Sequence, residues 1–151
     1  RALVHEALRR TGGCEVVADT RLTSVRSALA GLADPPELRV SRAAEVDVDA
    51  LHAGAEVFVA APTLGVVTLA QVRRAPLVFL PPLGAAQRDL AARVRHVVPV
   101  PLATDPRDDC LWAPPAGDGR TPWDALDPAL DDLRGAQRVA RTLRQLSLAP
   151  L

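Results

Sequence analysis

Two nearly unbroken apolar runs, Glu56-Val57-Phe58-Val59-Ala60 and Pro76-Leu77-Val78-Phe79-Leu80, flank a stretch with helical spacing from Thr63 to Arg74. A strand without polar alternation has to be covered on both faces, as strands of parallel sheets flanked by helices are. The same alternation runs along the chain. Leu3, Val4, Ala7 and Leu8 repeat at helical spacing from the first residues, and Gly12-Gly13 close that helix. Cys14 to Ala18 reads as a strand, Ser24 to Leu32 as a helix stopped by Asp34-Pro35-Pro36, and Leu38-Arg39-Val40 as the next strand. Val48 to Ala53 is a short helix, Ala85 to Val94 another, and Val97 to Val100 a last strand. Strand and helix in turn imply right-handed crossovers, hence an α/β domain with a doubly wound parallel sheet of Rossmann-like type. In such a sheet the first strand is central. A chain that opens on the first helix is therefore expected to lack it, leaving two internal edges unpaired.

Residues 1–102 make the α/β core of a single domain in this reading. Residues 103–122 form a long loop rich in Pro, Gly and Asp, read as mobile or as a lid. Residues 123–151 carry a closing helix, with Asp127-Pro128 as its N-cap and N1 pair and Leu130, Leu133, Ala136, Ala140 and Leu143 on one face. The acidic pair Asp131 and Asp132 near its start and the arginines toward its end complement the helix dipole as a solvated face.

Composition removes several chemistries. The chain has 151 residues, zero formal charge and 18 basic residues, all of them Arg. Without Lys there is neither a Walker-type phosphate loop nor a Schiff base. Without a basic surplus a general nucleic-acid binder is disfavoured. No apolar run reaches the ~20 residues of a membrane span, so a soluble, cytoplasmic bacterial protein is expected. Cys14 and Cys110 form no CxxC and read as reduced, packed thiols. His5, His52 and His96 are scattered, His52 reads as a packed or partly exposed side chain rather than a catalytic one, and no metal or cofactor site is expected.

Ligands of open α/β sheets bind beyond the carboxyl ends of the strands. The sharpest loop there is Ala61-Pro62-Thr63-Leu64-Gly65-Val66, with Thr63 as N-cap and free N–H groups suited to a diphosphate. Gln87, in the first turn of the helix after Pro81-Pro82-Leu83-Gly84, can offer an amide to a sugar hydroxyl.

Together, Glu56 to Ala60, Gly65, Thr68-Leu69-Ala70-Gln71, Ala75 to Pro81 and Gln87-Arg88-Asp89-Leu90-Ala91 resemble a known pattern. It is that of the nucleotide-sugar-binding C-terminal domain of GT-B fold glycosyltransferases, the group that includes the peptidoglycan UDP-N-acetylglucosamine transferase. The resemblance covers roughly residues 1–100 and implies half of a GT-B fold, partnered by an N-terminal domain that holds the acceptor. It implies a nucleotide diphospho-sugar donor, with Thr63, Leu64, Gly65 and Val66 at the diphosphate and Gln87 at the donor sugar. Arg42 and Ala43 would lie at the base. Gln71 takes the ribose position if two residues are deleted before Pro76, and Leu69 takes it otherwise. The family's ribose carboxylate is missing at either residue, its Asn is Leu90, its Gly is Arg74 and its His or Arg before the turn is Ala61. A GT-B-like scaffold or partner subunit without donor binding is thus the alternative. A non-hydrolysing sugar-nucleotide epimerase fits less well, for want of a paired Glu after the turn.

Overall fold

A computed structural model describes residues 1–112 and 121–127, together with 134, 135, 137, 139, 140 and 144. In chain order it contains α1 (Ala2–Thr11), β1 (Cys14–Ala18), α2 (Leu22–Leu29), β2 (Leu38–Arg42) and α3 (Val48–Gly54). There follow β3 (Val59–Ala60), α4 (Leu64–Arg73), β4 (Val78–Phe79) and α5 (Ala85–Val97). Short 3-10 turns lie at Ala43–Glu45, Asp109–Leu111 and Pro122–Ala125. The strand and helix alternation expected from the sequence is present.

The strands form two parallel pairs. β1 pairs with β2, Cys14 opposite Leu38 through Ala18 opposite Arg42. β3 pairs with β4, Val59 opposite Val78 and Ala60 opposite Phe79. Among the described residues the two pairs are not joined by a common strand. The strand expected at Val97 to Val100 is also absent. α5 runs on to Val97, and the chain meets β4 only at Leu102, which bridges to Phe79. Pro99 and Pro101 explain this: neither has an N–H to donate, so no ladder can run through them. What survives is one clasp, with the Phe79 N–H donating to Pro101 O at 2.9 Å and Ala103 N–H donating to Phe79 O at 2.8 Å.

Alternation along β3 and β4 divides the core into two clusters. On one side, buried Phe79, Leu77, Val98 and Val100 pack with Ala70 of α4, Ala91 of α5 and Trp123. On the other, Val78, Ala103 and Leu111 are buried, and Leu3 of α1, Val57, Val59 and Trp112 pack against them. The β3–β4 pair is thus covered on both faces, as its apolar sequence demands. Each fully buried large apolar side chain contributes about 1.5–3 kcal/mol.

The helix ends follow local chemistry. Gly12 closes α1 with φ 71°, a left-handed conformation that glycine adopts at no cost. Asp47 caps α3 through the Ala50 N–H and Thr63 caps α4 through the Val66 N–H. Residues 103–112, part of the stretch expected as a mobile loop or lid, are packed: Ala103 and Leu111 are buried and the Trp112 indole N–H donates to Pro106 O at 2.8 Å. The expected closing helix falls on residues 128–151, most of which lie outside the described residues.

Candidate functional site

α4 starts just beyond the carboxyl end of β3. Its N-cap is made by the Thr63 hydroxyl, which accepts from the Val66 N–H at 3.4 Å. That leaves the N–H groups of Leu64 and Gly65 without an intrahelical partner, because the first turn of any helix has none. Leu64 and Gly65 are both exposed, and a Cβ built on Gly65 would meet nothing within 4 Å. The turn is therefore open to an approaching anion.

This turn is one end of an open groove of about 750 Å³. Thr63 to Val66, Val48 and Asp49 of α3, Phe58 and Arg73 are among the residues that line it. Leu64 and Val72 are 72% and 63% exposed along the α4 wall. The groove thus combines helix N–H groups and one guanidinium with an apolar lining and one carboxylate.

Leu69 also lines this groove, whereas Gln87, Gln71, Arg42 and Ala43 lie outside it. Gln87 is in the first turn of α5, beyond the end of β4, and its Oε1 accepts from the Leu83 N–H at 2.9 Å. The amide oxygen thereby fixes the entry to α5, leaving its NH₂ as the group for a sugar hydroxyl. Gln71 lies half-buried in the last turns of α4 and is hydrogen-bonded or in contact within the chain. Arg42 ends β2 and is exposed, with its Nε 3.9 Å from Glu45, and Ala43 opens the following 3-10 turn.

His52, expected as packed or partly exposed, is fully enclosed. It is 3% exposed, neither ring nitrogen has a hydrogen-bond partner, and its ring meets Phe58 edge-on at 4.3 Å between centroids. Burial lowers its pKa first, with Arg73 adding repulsion. A neutral imidazole packed against Phe58, itself a lining residue of the groove, results, the packed of the two settings expected. The cysteines match expectation only in being free. Cys14 is half-buried, but Cys110 is exposed, since the buried residue of its turn is Leu111. Both thiols are shifted upward, Cys14 by burial and Cys110 chiefly by its hydrogen bond with Asp108, so neither is poised as a thiolate nucleophile.

A second charged cluster stands on the opposite face. Glu6 of α1 accepts from Arg9 Nη2 at 2.6 Å and from Arg10 Nε at 2.6 Å, and Arg10 reaches on to Asp109 at 2.6 Å. The hydrogen bonds from Arg9 and then Arg10 hold the Glu6 carboxyl at about 2, against an ordinary 4.5. Between those values the unfolded chain binds the proton and the folded one does not. The stabilisation from Glu6 is therefore complete above pH 4.5 and is lost as pH falls toward 2. His52 acts in a higher window, since its folded pKa lies below 6.5 and acid favours the unfolded chain from there downward. Melting temperature measured against pH should fall in two stages. Glu6→Gln should remove the lower stage alone and His52→Phe the upper; a single unchanged profile in both variants would refute the assignment.

A mixed α/β protein with parallel strands, carrying an anion-accessible helix start at a strand's carboxyl end, is what fold and site define. Among the described residues no helix is long and apolar enough to cross a membrane, and no group of His, Cys, Asp or Glu could hold a metal ion. The model of the CGA synthase-related protein family matches residues 1–151, and the chain belongs to that family. No curated protein and no solved structure matches it.

Proposed function

We propose that this chain is the donor-binding part of a glycosyltransferase-like protein, taking a nucleotide diphospho-sugar at the carboxyl ends of its parallel strands. The observation that carries the reading is the start of α4, where the open, capped turn Thr63 to Val66 follows β3 and presents free N–H groups. Such a turn suits a diphosphate, because the helix dipole and the unpartnered N–H groups both favour negative charge. Gln87 supports it from the equivalent position after β4. The two parallel pairs are, on this reading, halves of one doubly wound sheet. Membership of a family described as synthase-related accords with a bond-forming reaction.

The chemistry follows from the ligand. An acceptor nucleophile attacks the anomeric carbon, the bond from that carbon to the diphosphate oxygen breaks, and the diphosphate leaves with the electron pair. The N–H groups of Leu64 and Gly65 would stabilise the charge that develops on it. The acceptor's proton passes to a base that these residues do not identify.

Two observations favour a second reading, a scaffold or partner subunit without donor binding. Asp49 places a carboxylate in the groove, and Leu64 and Val72 give it an exposed apolar wall. Calorimetric titration with UDP, GDP and dTDP separates the two. Saturable binding to one of them is expected. In Gly65→Asp it should weaken by about tenfold or more, since the new carboxylate repels the diphosphate. Silence from all three nucleotides would overturn the donor reading and leave the scaffold.

A further inference from the structure

A second cavity, of about 760 Å³, lies where the chain enters the β3–β4 layer, whereas α4 starts where the chain leaves β3. Glu56 and Val57, just ahead of β3, and Pro76, just ahead of β4, line it together with Arg9 and Arg10 of α1 and Trp112. It shares no lining residue with the groove at α4. Its volume is in the range of small-molecule sites, about 300–1,000 Å³.

Two guanidiniums in this lining are held by the protein itself. Arg9 donates to Glu6 from Nε at 3.1 Å and from Nη2 at 2.6 Å, and Arg10 donates to Glu6 from Nε and to Asp109 from Nη2, both at 2.6 Å. Among the described residues neither Nη1 group has a hydrogen-bond partner. Glu6 is 8% exposed and outside the lining, so it orients both side chains without filling the cavity. The Thr11 hydroxyl, also in the lining, is committed to the carbonyls of Ala7 and Gly13. The donors left for a ligand are the two Nη1 groups, and planar guanidinium donors match a carboxylate. Glu6 neutralises one of the two positive charges, and the Asp109 side chain, 88% exposed, opposes the other through solvent. Glu56 adds an exposed carboxylate to the lining. A single anionic charge is therefore matched, whereas the several charges of a diphosphate would be repelled by Glu56. Arg10 stands over Trp112, 5.8 Å from the ring centroid, so the charged and aromatic parts of the lining adjoin. Trp112 and Val57 pack in turn against Val78, Ala103 and Leu111, which gives that wall a fixed backing.

We propose that this cavity is a second ligand site, which takes a small monocarboxylate with an apolar body about the size of one aromatic ring. The carboxylate accepts from the Nη1 groups of Arg9 and Arg10, and the body lies against Trp112, Val57 and Pro76. The pairing of an oriented guanidinium fork with an adjoining aromatic wall selects this class, because neither a simple anion nor a neutral apolar molecule uses both. The site stands apart from the nucleotide reading of the α4 groove and does not depend on it.

The probes are 3-phenylpropanoate, its neutral amide 3-phenylpropanamide, and propanoate, each titrated calorimetrically into the whole chain at neutral pH. 3-Phenylpropanoate should saturate with an affinity at least about tenfold above that of the other two, which lack the charge or the ring. Arg9→Gln, at a side chain 59% exposed, should weaken its binding about fivefold or more by removing one donor group. Glu56→Gln should strengthen it about two- to fivefold, since a like charge is removed from the lining. A purely structural role for the two residues would not move affinity in opposite senses. Excess UDP should leave the titration unchanged, and competition by UDP would overturn the separateness of the site. Absence of saturable binding, or equal affinity for the amide or for propanoate, would overturn the assigned ligand class. Unchanged affinity in Glu56→Gln would overturn the location, and this exposed position keeps the test decisive if Arg9→Gln fails to fold.

Discussion

Replacing Phe79 by alanine should lower unfolding stability by about 3–5 kcal/mol, enough to unfold much of the population of a marginally stable domain. Phe79 is fully buried, and it is the point where three chain segments meet. Its backbone is clasped to Pro101 and Ala103 on one side while β4 pairs with β3 on the other. Its side chain belongs to the cluster with Ala70 and Ala91. Those two neighbours present only a methyl group each. Neither can grow into the space, and closing it would require α4 or α5 to shift as a body, so the cavity term is retained. Phe79→Leu, which keeps most of the volume, should cost less than about half as much. Denaturant unfolding of both variants at constant m-value is the measurement. A loss below about 1 kcal/mol for Phe79→Ala would mean that the helices do close over the gap, contrary to this packing.

Trp123→Ala should be comparably damaging, at about 3–5 kcal/mol, although Trp123 lies outside the strand–helix alternation. The indole is 2% exposed, and its N–H donates to the Ala75 carbonyl at 2.7 Å, at the end of α4. The turn that carries it is held in place. The Thr121 N–H donates to Asp124 Oδ2 at 2.6 Å, and Asp124 pairs with Arg74. The ion pair is half-exposed and contributes little, so the indole is the anchor. Trp123→Phe separates its two roles. It keeps most of the apolar burial but leaves the Ala75 carbonyl without this donor, and should cost about 1–3 kcal/mol. Equal losses for Ala and Phe would show that the hydrogen bond, rather than packing, holds the segment.

The apolar runs around Val59 and Val78 were legible because a strand covered on both faces needs no polar alternation, and both ended up between helices. The Thr63 cap and the Gly12 helix end were legible because each depends on one residue's own geometry. The fate of Val97 to Val100 was harder to read. Apolar composition argued for a strand, but the two prolines that deny it a ladder are tolerated at sheet edges, so only the neighbouring chain decides. Trp123 carried a signal that went unused, the Thr121-Pro122-Trp123-Asp124 arrangement of N-cap, Pro and acid that starts a helical turn. His52 carried none. Its partnerless burial depends on how α3 settles against Phe58, a contact that no local pattern encodes.

The sequence contains two tryptophans, and the packing places them in different settings. Trp112 belongs to the Val78 cluster and lies under the Arg10 guanidinium, 5.8 Å from the ring centroid, whereas Trp123 is sealed in the Phe79 cluster. Fluorescence from single-indole variants would therefore give each side of the β3–β4 layer its own optical channel, reporting whether the two halves of the interior melt together or in sequence.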